Sequence, residues 1–128
     1  MFKLIIIRHC ESVFNAQNKF TGLQESHLSE EWKLQASIVE SKLPEWEIKH
    51  IYSSAQYRAI QTLVRATLHR EDIELDKTIK TPALNERCYW DWEGKDKQEI
   101  LKLVGQEDFN SIRRWLYHTL ILEYLSPI

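Results

Sequence analysis

Leu4-Ile5-Ile6-Ile7-Arg8-His9 is the stretch on which the reading of this chain turns. Four apolar residues, three of them β-branched, run without alternation into an arginine and a histidine. That is the pattern of a strand buried on both faces, with Arg8 and His9 at its carboxyl end. In open α/β sheets ligands gather at that end of the strands. Imidazole is an effective nucleophile near neutral pH, and a guanidinium matches phosphate oxygens with a two-pronged fork. The pair therefore points to a phosphoryl group as the reacting partner.

Working outward, Glu11 to Glu25 is a polar loop punctuated by Asn15, Asn18, Thr21 and Gly22, long enough to cover the strand end. Ser29 is placed to cap a helix that carries acidic residues in its first turn and Leu34, Ile38 and Leu43 at helical spacing, ending near Pro44. Ile48 to Tyr52 reads as a second strand running into Ser53-Ser54, and a second helix follows over about Ala55 to His69 with Ala59, Leu63 and Ala66 on its apolar face. Arg58 falls in the first turn of that helix. A cation there opposes the helix dipole unless an anion shares the site. Ile73–Leu75 reads as a short strand and Ile79-Lys80-Thr81 as an extended stretch.

Leu84 to Lys95 has neither helical nor strand period and is rich in aromatic and charged residues, as in an active-site wall. Glu86 within it is a natural proton donor and acceptor. Beyond Gly94 the pattern is helical through Ile100, Leu101 and Val104, with Gly105 as a stop and a further helix from about Glu107 through Arg113-Arg114-Trp115.

The chain has 128 residues and a formal charge of −2 with no basic stripe, which argues for one domain and against nucleic acid as partner. Residues 1–7 lack a cleavable leader pattern, and Leu120 to Leu125 is far shorter than the roughly 20 residues that span a bilayer. A soluble, cytosolic protein with no membrane partner is expected. Cys10 and Cys88 are too few for a disulfide framework or, alone, a metal site.

Taken together, Arg8-His9-x-Glu11-Ser12, Asn15, Phe20-Thr21-Gly22, Leu28-Ser29-Glu30, Ser53-Ser54-x-x-x-Arg58-Ala59-x-Gln61-Thr62, Leu84-Asn85-Glu86-Arg87-x-Tyr89, Glu93-Gly94-Lys95 and Arg113-Arg114 follow in register. The chain resembles the histidine phosphatase superfamily, and most closely its bisphosphoglycerate-dependent phosphoglycerate mutases. The resemblance implies a single truncated domain over residues 1–128, family-like over 3–115 with a divergent apolar tail at 116–128. The implied fold is a three-layer α/β/α phosphoglycerate mutase-like sandwich from which the C-terminal part of the sheet is missing.

By the same resemblance His9 accepts and returns a phosphoryl group, Arg8 and Arg58 hold its oxygens, and Glu86 moves the proton of the substrate hydroxyl. Asn15, Thr21 and Gly22 match the substrate loop, while Tyr89, Lys97, Arg113 and Arg114 match positions that hold the substrate's other anionic groups. The implied reaction interconverts 3-phosphoglycerate and 2-phosphoglycerate, primed by 2,3-bisphosphoglycerate and without a metal. Three departures stand out. The second pocket histidine of a His-Gly-Asn type motif is not found before Ile128, Cys10 replaces a glycine, and Trp32 replaces another. The first predicts impaired mutase activity. The alternatives are an inactive remnant that binds phosphorylated anions and a weak histidine-type phosphatase. An exposed apolar sheet edge is also expected, covered by a second copy of the chain or by the apolar tail.

Overall fold

The computed structural model of the chain describes residues 3–124, and side chains from Lys3 to Arg113. The elements in order are α1 (Val13–Ala16), α2 (Trp32–Lys42), β1 (Tyr52–Ser54), α3 (Tyr57–Ala66), β2 (Ile79–Thr81) and α4 (Lys97–Tyr124). Short 3-10 turns at Leu75–Lys77, Pro82–Leu84 and Trp90–Trp92 fill the connections. β1 and β2 are parallel, with Tyr52 opposite Ile79, Ser53 opposite Lys80 and Ser54 opposite Thr81. A parallel pair joined through α3 is the βαβ arrangement expected of an α/β protein.

The leading stretch departs from expectation. Among the described residues Leu4–Ile7 joins no ladder, and it is exposed rather than buried. A run apolar on both faces needs a strand at each edge and a layer on each side, and the described residues do not supply them. The second strand also lies later than the Ile48–Tyr52 expected, at Tyr52–Ser54. Residues 73–75 form no strand, and Leu75 instead opens a 3-10 turn.

Ser29 does not cap α2. Its hydroxyl donates to Glu11 Oε2 at 2.9 Å and its N–H to the Glu11 carbonyl at 2.8 Å, so it ties the first loop to the strand end. The helix begins three residues on, with Glu31 in the cap position and no side-chain bond. Its buried contact is Ala36, which packs with Cys10, Leu28 and Trp32, whereas Leu34 and Ile38 face outward. The long loop after His9 contains α1, held by a reciprocal cap between Ser12 and Asn15. On α3 the buried stripe is Arg58, Thr62 and Ala66 rather than Ala59 and Leu63. α3 is fastened to α2 by Arg65, which reaches Glu40 and Ser37 at 3.3 Å each.

A second core lies around Phe20, with Ile100 and Phe109 buried against it and Tyr89, Trp92, Leu101 and Val104 at its margin. Gly105 makes this core possible. Its φ of 81° and ψ of 167° break α4 internally, in a region only glycine visits freely. At about 100° per residue an unbroken helix would point Ile100 and Phe109 in roughly opposite directions. The break turns both toward Phe20. The tail at 116–128 lies outside the described side chains. No helix among the described residues is long and apolar enough to cross a membrane.

Candidate active site

The site is built where the first loop, the start of α3 and the aromatic loop converge on the end of the leading stretch. His9 is half-buried, and its Nδ1 lies 2.6 Å from the Cys10 carbonyl oxygen. A carbonyl only accepts, so Nδ1 carries the proton and donates it, leaving the Nε2 lone pair free. Burial lowers the imidazole pKa below the ordinary 6.5. The charges of Arg58 and Arg8 push the same way, against the Cys10 carbonyl and the Glu86 carboxylate. His9 is thus held neutral, the form that can attack phosphorus. Cys10, where a glycine was expected, is not among the residues at positive φ and is accommodated without strain. Its N–H donates to Thr62 Oγ1 at 2.9 Å, and Thr62 donates onward to the Arg58 carbonyl at 2.9 Å. The strand end is thereby registered on α3.

Arg58 is fully buried. NH1 donates to the Gln24 carbonyl at 3.2 Å, and NH2 is shared among the Gly22 carbonyl at 2.9 Å, Gln56 Oε1 at 3.0 Å and Glu86 Oε2 at 3.1 Å. The fork assigned to phosphate oxygens is therefore occupied by the protein, and Nε remains buried without a partner. The anions that reconcile an arginine with the first turn of α3 are carboxylates of the chain itself. Glu86 pairs with Arg58, and Glu25 accepts the Tyr57 N–H at 3.1 Å.

Glu86 is placed by its own N–H, which donates to Gln56 Oε1 at 3.0 Å. Gln56, which sequence reasoning did not single out, is the hub, since its Nε2 also donates to the Gly22 carbonyl at 2.7 Å. Its position two residues before Arg58, at the mouth of a helix, was the available signal. Thr21 is buried with its Oγ1 unpartnered. Gly22 sits at φ 58°. Asn15, by contrast, spends its Oδ1 on the Ser12 hydroxyl at 2.9 Å and serves the α1 cap.

Tyr89 stacks on Phe20 with ring centres 4.7 Å apart and carries the Arg87 guanidinium 4.7 Å over its ring. Its N–H and that of Leu23 both donate to Glu93 Oε1, at 3.0 and 2.9 Å. Burial pushes the Glu93 carboxyl up, but these N–H donors and the Cys88 thiol outweigh it and hold the pKa below the ordinary 4.5. Glu93 thus pins the loop at Leu23 to the aromatic loop. Lys97 lies over Phe20 and Arg113 over Phe109, at 5.9 and 5.5 Å from the ring centres. Burial lowers the Lys97 pKa. The nearby charges of Arg113 and Arg8 lower it further, while Glu86 and Asp96 raise it. Arg8, Lys97 and Arg113 therefore share one electrostatic field with Glu86. The side chain of Arg114 lies outside the described residues.

This arrangement offers the exposed cations Arg8 and Arg113 and the half-buried Lys97 to an anion, with the half-buried His9 imidazole and the Glu86 carboxylate in the same field. A model of the histidine phosphatase superfamily (branch 1) matches residues 4–120. The chain belongs to the histidine phosphatase superfamily. Among curated members, the 2,3-bisphosphoglycerate-dependent phosphoglycerate mutase of Bartonella henselae is 37% identical over 115 residues, covering 87% of this chain and 54% of the relative. Phosphoglycerate mutase 1 of Saccharomyces cerevisiae is 38% identical over 116 residues, covering 89% and 47%. Among solved structures, Bacillus stearothermophilus YhfR superposes with a TM-score of 0.67 at 28% identity, covering 82% of this chain and 50% of that one. Phosphoglycerate mutase from Bacillus anthracis gives 0.67 at 22% identity, covering 83% and 48%. The α/β phosphoglycerate mutase-like fold is thus established, and the chain spans about half the length of the relatives it matches.

Proposed function

We propose that this chain carries the phosphoryl-transfer half of a phosphoglycerate mutase reaction, with His9 as the phosphoryl carrier. The observation that carries the reading is the neutral His9, its Nδ1 proton fixed on the Cys10 carbonyl and its ring within the field of Arg8, Arg58 and Glu86. Nε2 attacks the phosphorus of 2,3-bisphosphoglycerate, the N–P bond forms, the P–O bond breaks, and the leaving alkoxide takes a proton from the Glu86 carboxyl. In the return step a phosphoglycerate hydroxyl gives its proton to Glu86 and its oxygen attacks the phosphohistidine. Arg8, Lys97 and Arg113 offset the charge of the substrate's second phosphate and its carboxylate.

A second reading is hydrolysis. Arg8 and Arg113 are exposed, so water reaches the carrier from that side and competes with the sugar-acid hydroxyl. Incubation with 2,3-bisphosphoglycerate followed by mass spectrometry distinguishes the outcomes. A phosphoryl adduct on His9 that is discharged by 3-phosphoglycerate to give 2-phosphoglycerate supports the mutase. An adduct that yields only inorganic phosphate supports the phosphatase. A folded protein with no adduct, behaving like its His9→Gln variant, excludes both and leaves anion binding alone.

A further inference from the structure

Gln56 stands at the cap position of α3, with φ −71° and ψ 139°, and its side chain makes no cap bond. Shorter polar side chains serve that position better, and here the first-turn Tyr57 N–H is taken by Glu25 Oε2 at 3.1 Å instead. The Gln56 amide is turned inward, with 5% of the residue exposed, and joins three parts of the site. Its Oε1 accepts from Arg58 NH2 and from the Glu86 N–H, both at 3.0 Å, and its Nε2 donates to the Gly22 carbonyl at 2.7 Å. The helix end gains nothing from this amide, and the site gains three bonds.

Acceptors outnumber hydrogens at the centre of this cluster. Arg58 NH2 carries two hydrogens. Three oxygens lie within bonding distance of it, the Gly22 carbonyl at 2.9 Å, Gln56 Oε1 at 3.0 Å and Glu86 Oε2 at 3.1 Å. One acceptor is therefore always surplus. Gly22, Gln56 and Arg58 are buried, whereas the Glu86 side chain is 36% exposed, so Glu86 is the acceptor that water can satisfy. When its carboxyl moves away, both NH2 hydrogens still meet an oxygen. With Gln56 Oε1 removed, only Gly22 and Glu86 remain of the three, and the carboxyl is tied to a guanidinium that water does not reach. A buried charged donor left without an acceptor is among the costlier defects in a protein.

We propose that Gln56 is a positioning residue that frees Glu86 to act as a proton carrier. Its Oε1 anchors the Glu86 backbone and is the second acceptor that keeps Arg58 NH2 satisfied while the Glu86 carboxyl turns to a substrate oxygen. The consequence for rate rests on the function proposed above, whereas the exchange of acceptors on Arg58 does not.

Gln56→Met keeps the length of the side chain and removes both polar ends, while Gln56→Glu keeps the acceptor alone. With 2,3-bisphosphoglycerate, Gln56→Met should slow saturated labelling of His9 by about tenfold or more, the scale of one charge-assisted hydrogen bond, and change the half-saturating concentration by less than about twofold. Gln56→Glu, assayed at its own pH optimum, should stay within about threefold of the unaltered rate, which tests the acceptor even if Gln56→Met does not fold. In a Glu86→Gln background Gln56→Met should alter the rate by less than about twofold, because a residue acting through Glu86 then has nothing left to act on. A loss confined to half-saturation, or one of full size in that background, would overturn the inference in favour of a structural or ligand-binding role. A slow Gln56→Glu would overturn it in favour of the Nε2 bond to Gly22. Urea unfolding reads the exchange on Arg58 without any reaction. Glu86→Ala should lower the midpoint at least about twice as far in Gln56→Met as in the unaltered chain, and no further in Gln56→Glu. Equal losses in all three would overturn the inference. If the unaltered chain takes no label, the function proposed above fails and the unfolding comparison alone decides.

Discussion

Arg58 NH2 and Glu86 Oε2 stand 3.1 Å apart, and the arginine that makes this bond is fully buried while the carboxylate is 36% exposed. The pair therefore joins a sealed charge to one that solvent and a ligand can reach. Arg58→Ala would strand the carbonyls of Gly22 and Gln24, Gln56 Oε1 and the Glu86 carboxylate, at a cost of about 3–5 kcal/mol. Glu86→Gln keeps an acceptor for Arg58 but removes the mobile proton. Stability should then change by less than about 1 kcal/mol while phosphoryl transfer falls roughly 100-fold or more. Urea unfolding of both variants, beside the rate of His9 labelling, checks the division. Equal losses of stability would refute it.

His9 predicts a pH dependence of definite sign. Its folded pKa lies below 6.5, so as the pH falls the unfolded chain takes up the proton first. The contribution to stability is complete above pH 6.5 and is lost as the pH drops from there through the folded pKa. Labelling by 2,3-bisphosphoglycerate should for the same reason persist below pH 6.5. NMR titration of the imidazole, assigned with His9→Gln, reads the pKa directly, and a value at or above 6.5 would contradict the described burial.

Gly22 predicts a coupling across the site. A Cβ there would fall 2.1 Å from Glu93 Oε1 and 2.7 Å from its Cδ, at a φ of 58°. The carboxylate cannot swing aside without releasing the Leu23 and Tyr89 N–H groups. Gly22→Ala should cost about 2–4 kcal/mol in chemical unfolding. Adding Gly22→Ala to a Glu93→Ala background should cost less, because only the backbone strain remains. Strict additivity would show that the clash is relieved elsewhere.

Trp90 is a residue whose conformation works against it. It is 75% exposed and holds φ at 49°, in the left-handed region, with its N–H on Cys88 Sγ at 3.2 Å. Little packing offsets that strain. Trp90→Gly should leave stability unchanged or raise it by up to about 1 kcal/mol. A loss above 1 kcal/mol in thermal or urea unfolding would mean that the indole packs in solution.

What could be read from the residues was the chemistry that needs few neighbours. Arg8, His9, Arg58 and Glu86 stand out in the sequence through their local context, and the structure puts His9 in the field of the other three, although Leu4–Ile7 forms no strand and the Arg58 fork is taken up by the protein itself. Gln56 was not legible, because its role depends on a loop 34 residues away in sequence. The face of α2 was misread for a similar reason. Leu34 and Ile38 have the right spacing for a core, but the neighbour that decides the helix's rotation is the small Ala36 against Cys10 and Leu28. The leading stretch has the composition of a strand but joins no ladder among the described residues, because composition cannot say whether pairing strands are at hand. Gly105 was read as a stop, and the structure gives it a larger task.

That task reaches the electrostatics of the site. At about 1.5 Å per residue an unbroken α4 would hold Lys97 and Arg113 roughly 24 Å apart, beyond the ~10 Å over which charges are felt in ordinary salt. Instead Lys97 lies 5.9 Å from the Phe20 ring centre, Phe20 5.8 Å from Phe109 and Arg113 5.5 Å from the Phe109 ring centre, so both cations border one aromatic cluster. The two cations are thus colleagues by virtue of one corner in the chain, at a residue with nothing within 4 Å of where its side chain would be. In the function proposed above, recognition of a doubly charged ligand would hang on a vertex that never meets it. A substitution at Gly105 would accordingly be felt at the far end of the lever, as lost affinity in a site whose every named side chain is still present.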